Sequence, residues 1–296
     1  MLRPVLIGLL SALVLAAQSH GAPSQAELEE YLAALGRTAA TFSATAPGLV
    51  ADETLDQRGR RGFVEILRGK KNQVKDLDIR LPKEFRTHNV VSTYKLEEAG
   101  EGHVLHEVRT IVTMDGESLT ESGEARHAMT IGSRSTDDEM KRRLLENLEQ
   151  EQLEGAVTDF GQLILLFMAR LQKDYEFSLE DSQNLNGEPA VILRYRQVAG
   201  DQGLTFFRER TEERQTAAGE IWLRAKDFLP VRITLNTEEV RSKKFTIRTE
   251  ATIDYQASRF GLVPGHVVHR QFLNTELMVE NDLRYANFRR DHAMIP

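Results

Sequence analysis

The chain has 296 residues, with 38 Lys and Arg against 45 Asp and Glu, a formal net charge of −7, and no cysteine. An acidic balance without a basic tract sets aside nucleic acid and anionic membrane surfaces as main partners. A chain without cysteine must hold its fold by burial alone.

Residues 1–22 read as a cleavable secretory signal: a cation at Arg3, an apolar stretch from Val5 to Ala17, and a small-residue exit ending at Ala22. The apolar stretch is shorter than the roughly 20 residues that span a bilayer, and no cysteine stands at the cleavage site to take a lipid. The expected product, residues 23–296, is one soluble domain, periplasmic or alternatively secreted, and not membrane-spanning after cleavage.

The mature chain opens with a helix. Ser24 and Glu27 form a capping box, and Leu28, Tyr31, Leu32, Leu35, Ala39 and Phe42 recur at helical spacing until Pro47-Gly48 stops the run. Leu49 to Arg61 reads as polar and irregular, and Phe63 to Arg68 as a strand. Val90 to Leu96 and Val104 to Met114 alternate with period two and predict a hairpin, the second strand carrying Val104, His106, Val108, Thr110, Val112 and Met114 on one face. From about 137 to 173 the period turns helical. A charged helix comes first, and then a second helix around Leu163 to Met168, apolar all round and therefore buried. The rest predicts antiparallel strands: Tyr175 to Leu179 turning at Asn186-Gly187 into Ala190 to Val198, then Glu220 to Arg224, Leu229 to Leu235, Phe245 to Tyr255, Val263 to Leu273 and Leu277 to Phe288. Gly200 to Gly219 reads as a long charged loop carrying Phe206 and Phe207, a candidate lid. The fold class that follows is α+β, a curved antiparallel sheet in the form of a half-barrel, wrapped around or covered by helices.

Motifs that encode chemistry do not occur: no G-x-S-x-G elbow, phosphate loop, dinucleotide fingerprint or H-E-x-x-H helix. The pairs His103/His106 and His266/His269 are three apart on strands, so the members of each pair point to opposite faces and neither pair closes on one ion. Carboxylates cluster at Asp52-Glu53, Asp137 to Glu139 and Glu149 to Glu154; the last two groups sit at a helix start and along a helix face, where solubility and dipole complementarity explain them. No catalytic residue, metal ligand or cofactor is therefore nominated. What remains is apolar area. Phe167, Val191, Leu193, Tyr195, Val231, Ile233, Phe245, Ile247 and Ile253, with Phe206 and Phe207 as lid, are the candidates to line a cavity between sheet and helices. The same residues also suit a filled core.

From Asp159 to Arg290 the sequence resembles the outer-membrane lipoprotein carrier superfamily (LolA/LolB-like). The similarity lies in Gly219-Glu220-Ile221-Trp222-Leu223, Leu229-Pro230-Val231-Arg232-Ile233, Ile253-Asp254-Tyr255, Leu262-Val263-Pro264 and Leu283-Arg284-Tyr285-Ala286-Asn287-Phe288-Arg289. The resemblance implies a periplasmic half-barrel around helices with a cavity for acyl chains, and Pro47 to Glu53 looks like an uncharacterised exported bacterial branch that shares this pattern. The expected function is binding of a lipid or other apolar ligand. The alternatives are an envelope assembly partner with a filled core, and a hydrolase using paired carboxylates.

Overall fold

The computed structural model describes residues 25–60, 64–68, 76–80, 83–99, 104–118, 128–131, 160–200, 204–208, 211–242 and 245–291. The signal segment, the charged helix from 137 to 154, and His103, His127 and His292 lie outside the described residues, as do the side chains of His106, Phe206 and Phe207.

Helix α1 (Gln25–Thr45) leads into β1 (Leu49–Gly59). The hairpin β2 (Val64–Arg68) and β3 (Asp76–Arg80) follows, then β4 (Arg86–Ala99), β5 (Val104–Met114), β6 (Glu117–Ser118), β7 (Ala128–Ile131) and a 3-10 helix over Phe160–Phe167. The second half runs through β8 (Tyr175–Leu185), β9 (Glu188–Gln197), the hairpin β10 (Leu204–Arg208) and β11 (Thr211–Gln215), β12 (Ala218–Arg224), β13 (Pro230–Ser242), β14 (Phe245–Ser258), β15 (Gly261–Leu273) and β16 (Glu276–Arg290).

One antiparallel sheet takes most of these strands in the order β6-β5-β4-β1-β16-β15-β14-β13-β12-β9-β8, with β7 on β5. The half-barrel expectation is overturned here, because the sheet is neither closed nor strongly curled. A sheet curls when its inner face must enclose what it covers. Here the helical layer, α1 and the 3-10 helix, packs on the central strands β14 and β15, and an open sheet suffices to cover it.

On α1 the predicted stripe is the buried one: Leu35, Ala39 and Phe42 are shielded, and Leu28, Tyr31 and Leu32 pack partly buried beside them. The turns follow their residues. Asn186 and Gly187 both have positive φ (52° and 87°), the geometry that a two-residue hairpin needs to match strand twist. Two expectations fail. Leu49 to Gly59 is not irregular but a central strand, paired with β16 on one side and β4 on the other. The segment 200–219 is not a structureless loop, since Phe206 and Phe207 lie in β10, in register with Glu213 and Glu212 of β11.

Candidate functional site

The inner face of the sheet divides into two halves. On the β8, β9, β12 and β13 side it is apolar and aromatic. Leu193, Ile221, Leu223, Ile233 and Leu235 are fully shielded, and the Phe167 ring meets Tyr195 edge-on at 4.8 Å and Tyr175 at 5.6 Å. Tyr195 donates to the Thr234 carbonyl at 2.8 Å, so its one polar group is satisfied inside the core. Gly219 sits where any Cβ would meet that Thr234 oxygen at 2.1 Å.

On the β1, β4, β5 and β16 side the inner face sets a charged cluster among apolar residues such as Leu55, Leu96 and Leu283. Arg109, 2% exposed, donates from Nε to both oxygens of Glu53 (2.9 and 2.8 Å) and from Nη2 to Glu107 (2.9 Å) and the Tyr285 hydroxyl (3.3 Å). Ser92 donates to Glu53 at 2.8 Å, and the guanidinium lies 5.3 Å over the Tyr94 ring. Register explains the convergence: Glu53 stands opposite Ser92 and Tyr285, and Tyr94 opposite Arg109. Burial opposes the Arg109 charge, but Glu53, Tyr285 and Glu107 outweigh it and hold its pKa well above the usual value. Burial pushes Glu107 up to about 7 against the pull of Arg109, and the Glu53 charge adds to the rise. Two carboxylates share one guanidinium, and a paired buried charge survives only with such partners.

The 3-10 helix Phe160–Phe167 lies over this floor with every residue buried. Its backbone is pinned by side chains of the sheet: the Gln162 N–H donates to Glu107 Oε1 at 3.0 Å and the Ile164 N–H to the Tyr255 hydroxyl at 3.2 Å. Gly161 permits the approach, since a Cβ there would stand 2.7 Å from Glu107 Oε1 and 2.9 Å from the Tyr94 hydroxyl. At the far end Gln172 donates to the carbonyls of Leu32 and Phe167 (2.8 and 3.0 Å), tying the segment to α1. At the near end Phe160 stacks on His269 at 4.9 Å. His269 is 2% exposed, and its Nδ1 faces Asn281 Nδ2 at 3.1 Å, while Asn281 Oδ1 accepts from Gln57 at 2.8 Å. Burial pushes the imidazole down to about 4.

The cavity candidates fall as follows. Phe167, Leu193, Tyr195, Ile233 and Ile253 are buried in the main core, with Val191 at its edge. Ile247 is buried in a separate small cluster with Phe245 packed against it, and Val231 is half-buried. A recess of about 790 Å³ lies instead over the outward side chains of β8, β9, β12, β13 and β14, lined by Glu176, Arg194, Arg196, Glu220 and Glu250 among others. The outer face also carries ion pairs of Arg232 with Asp254 at 2.6 Å and Arg284 with Asp56 at 2.9 Å, and a hydrogen bond between His266 and Asp282 at 3.0 Å. His266 and His269 thus occupy opposite faces of β15.

No family model matches the chain, and no curated protein matches it. Among the solved structures similar to it are two that match over 90% of its length and 94% of theirs. One is a DUF1329 family protein from Desulfovibrio piger, at 11% identity and a TM-score of 0.40. The other is a putative outer membrane lipoprotein-sorting protein domain from Vibrio parahaemolyticus, at 10% identity and 0.37.

The sequence reading missed Glu107 and Arg109 and noted Glu53 only as one of a carboxylate pair, with no role assigned. The face of β5 that turns inward carries Leu105, Glu107, Arg109 and Ile111, the set complementary to the more apolar alternation. A signal was present in the strand itself. Glu107-x-Arg109 puts opposite charges on one face of an otherwise apolar strand, the pattern of a pair that can be buried together.

Proposed function

We propose that this chain is an exported, periplasmic protein that binds a lipid or other apolar ligand between its sheet and the 3-10 helix Phe160–Phe167, which fills the ligand's place in the closed form. The 3-10 helix carries this reading. Runs of 3-10 geometry beyond three or four residues are uncommon because their hydrogen bonds are poorer. An eight-residue run that is buried throughout is held by what it docks on more than by its own bonds. Its withdrawal would uncover the apolar floor where Phe167 meets Tyr195, in one cluster with Leu193, Ile233 and Ile253. The resemblance to the lipoprotein carrier superfamily points the same way.

Native mass spectrometry of protein purified from its own host, together with titration by a fluorescent fatty acid, tests the reading. A bound apolar molecule and saturable binding are expected. A ligand-free protein that also fails to bind the fatty acid overturns it.

A second reading, an envelope assembly partner with a filled core, is favoured by the packed inner face and by the recess on the outer one, which Arg194 and Arg196 line. In that case crosslinking in cells captures a protein through Arg194 or Arg196, and charge reversal at those positions abolishes capture.

A further inference from the structure

Two groups beneath the 3-10 helix hold protons in opposite senses. Under Gln162, two carboxylates, Glu53 and Glu107, face one guanidinium, Arg109, with all three at most 2% exposed. Among the described residues, the other groups that face Glu107 are Tyr94 of β4, Tyr285 of β16, Tyr255 of β14 and the backbone of Gly161 and Gln162. No second cation is among them, so the cluster carries a surplus negative charge unless it binds a proton, and burial favours the proton. Under Phe160 the situation is reversed. His269 is buried with no acid among its described partners, and Asn281, oriented by Gln57, presents its amide N–H to Nδ1. That ring nitrogen accepts, so the buried imidazole is neutral.

We propose that the 3-10 helix closes over these two opposed proton sites, Glu107 keeping a proton and His269 refusing one, so that opening releases one proton and takes up another and is nearly independent of pH. The inference rests on the reading that the segment opens. The balance is that of a carboxylic acid losing its proton to water and an imidazole gaining one from water, with no bond to carbon made or broken.

The signs follow from linkage. Glu107 binds its proton more tightly closed than open, so it favours closure in acid and loses that effect as pH rises from about 4.5 to about 7. His269 binds a proton less tightly closed than open, so it favours closure above its ordinary value of 6.5 and loses that effect as pH falls towards about 4. The windows overlap and the slopes oppose.

Because the chain has no cysteine, Leu166→Cys supplies a single buried thiol on the 3-10 helix. Its rate of reaction with dithiodipyridine, divided by that of a free thiol at the same pH, measures opening, and urea unfolding in parallel separates opening from global loss of fold. Between pH of about 5 and 6.5 the parent should change less than about threefold. With Glu107→Gln added, which keeps an acceptor for Gln162 without the titration, opening should rise roughly tenfold on acidification. With His269→Gln added, or His269→Phe if the first variant folds poorly, it should rise roughly tenfold in the other direction. Flat profiles in both variants, slopes of the same sign, or labelling only at the rate of global unfolding overturn the proposal. Failure to bind a fatty acid alongside the expected slopes would sink the ligand reading and leave this one standing.

Discussion

The two halves of the inner face reach the same burial by different means. On the β9, β12 and β13 side, aliphatic and aromatic side chains simply leave water. On the β1, β4 and β5 side, Glu53, Arg109 and Glu107 leave water together, each made tolerable by the other two. The first half is robust to the loss of any one partner in proportion to the atoms removed. The second depends above all on Arg109, because removing it strands both acids without a counter-charge, whereas removing either acid still leaves one ion pair.

Substitutions can break that comparison. Arg109→Met should have the largest effect, about 3–5 kcal/mol in urea denaturation, because it removes the cation that faces two buried acids. Adding Glu53→Gln and Glu107→Gln to it should restore much of the loss, and a triple variant as unstable as the single one would show that charge imbalance is not the cause. Leu193→Ala, in the apolar half, should cost about 2–4 kcal/mol through lost burial and a residual cavity, with no rescue by charge changes. Gly219→Ala should cost about 1–3 kcal/mol, because its Cβ meets backbone oxygen and not a yielding side chain. The smallest effect belongs to the outer face. Asp254→Asn, which breaks the half-exposed pair with Arg232, should change stability by less than about 1 kcal/mol.

Legibility in the sequence follows the same division. The strands β8, β9 and β12 to β16 could be read because they alternate apolar with polar and their turns carry their own punctuation, as at Asn186-Gly187. β1 could not, because its inward residues are Ala51, Glu53, Leu55, Gln57 and Gly59. Two of them are polar, and they are buried by partners more than thirty residues away in β4 and β5 and more than two hundred away in β16. Local pattern holds no information on such partners. Curvature was out of reach for a related reason, since the number and spread of helices over a sheet is a property of the assembled layers. The site was half legible. The apolar stretch Leu163 to Met168 announces a buried segment, but the side chains that pin its backbone lie in two strands distant in sequence, Glu107 in β5 and Tyr255 in β14.

The placement of β1 has a consequence in time. Among the described residues it is the first strand, and its partners are β4 and the last of them, β16. The hairpin of β4 and β5 can form as soon as both strands exist, and so can the run from β8 to β15. The join between them waits for β16, which must find β1 across a separation such as the 224 residues between Gln57 and Asn281. Contacts of that range are slow to form, since the entropy of loop closure comes before any reward. Until that strand docks, Arg109 lacks Tyr285 and the sheet exists as two unjoined pieces. A chain shortened by its last strand should therefore lose the whole fold and not merely one edge.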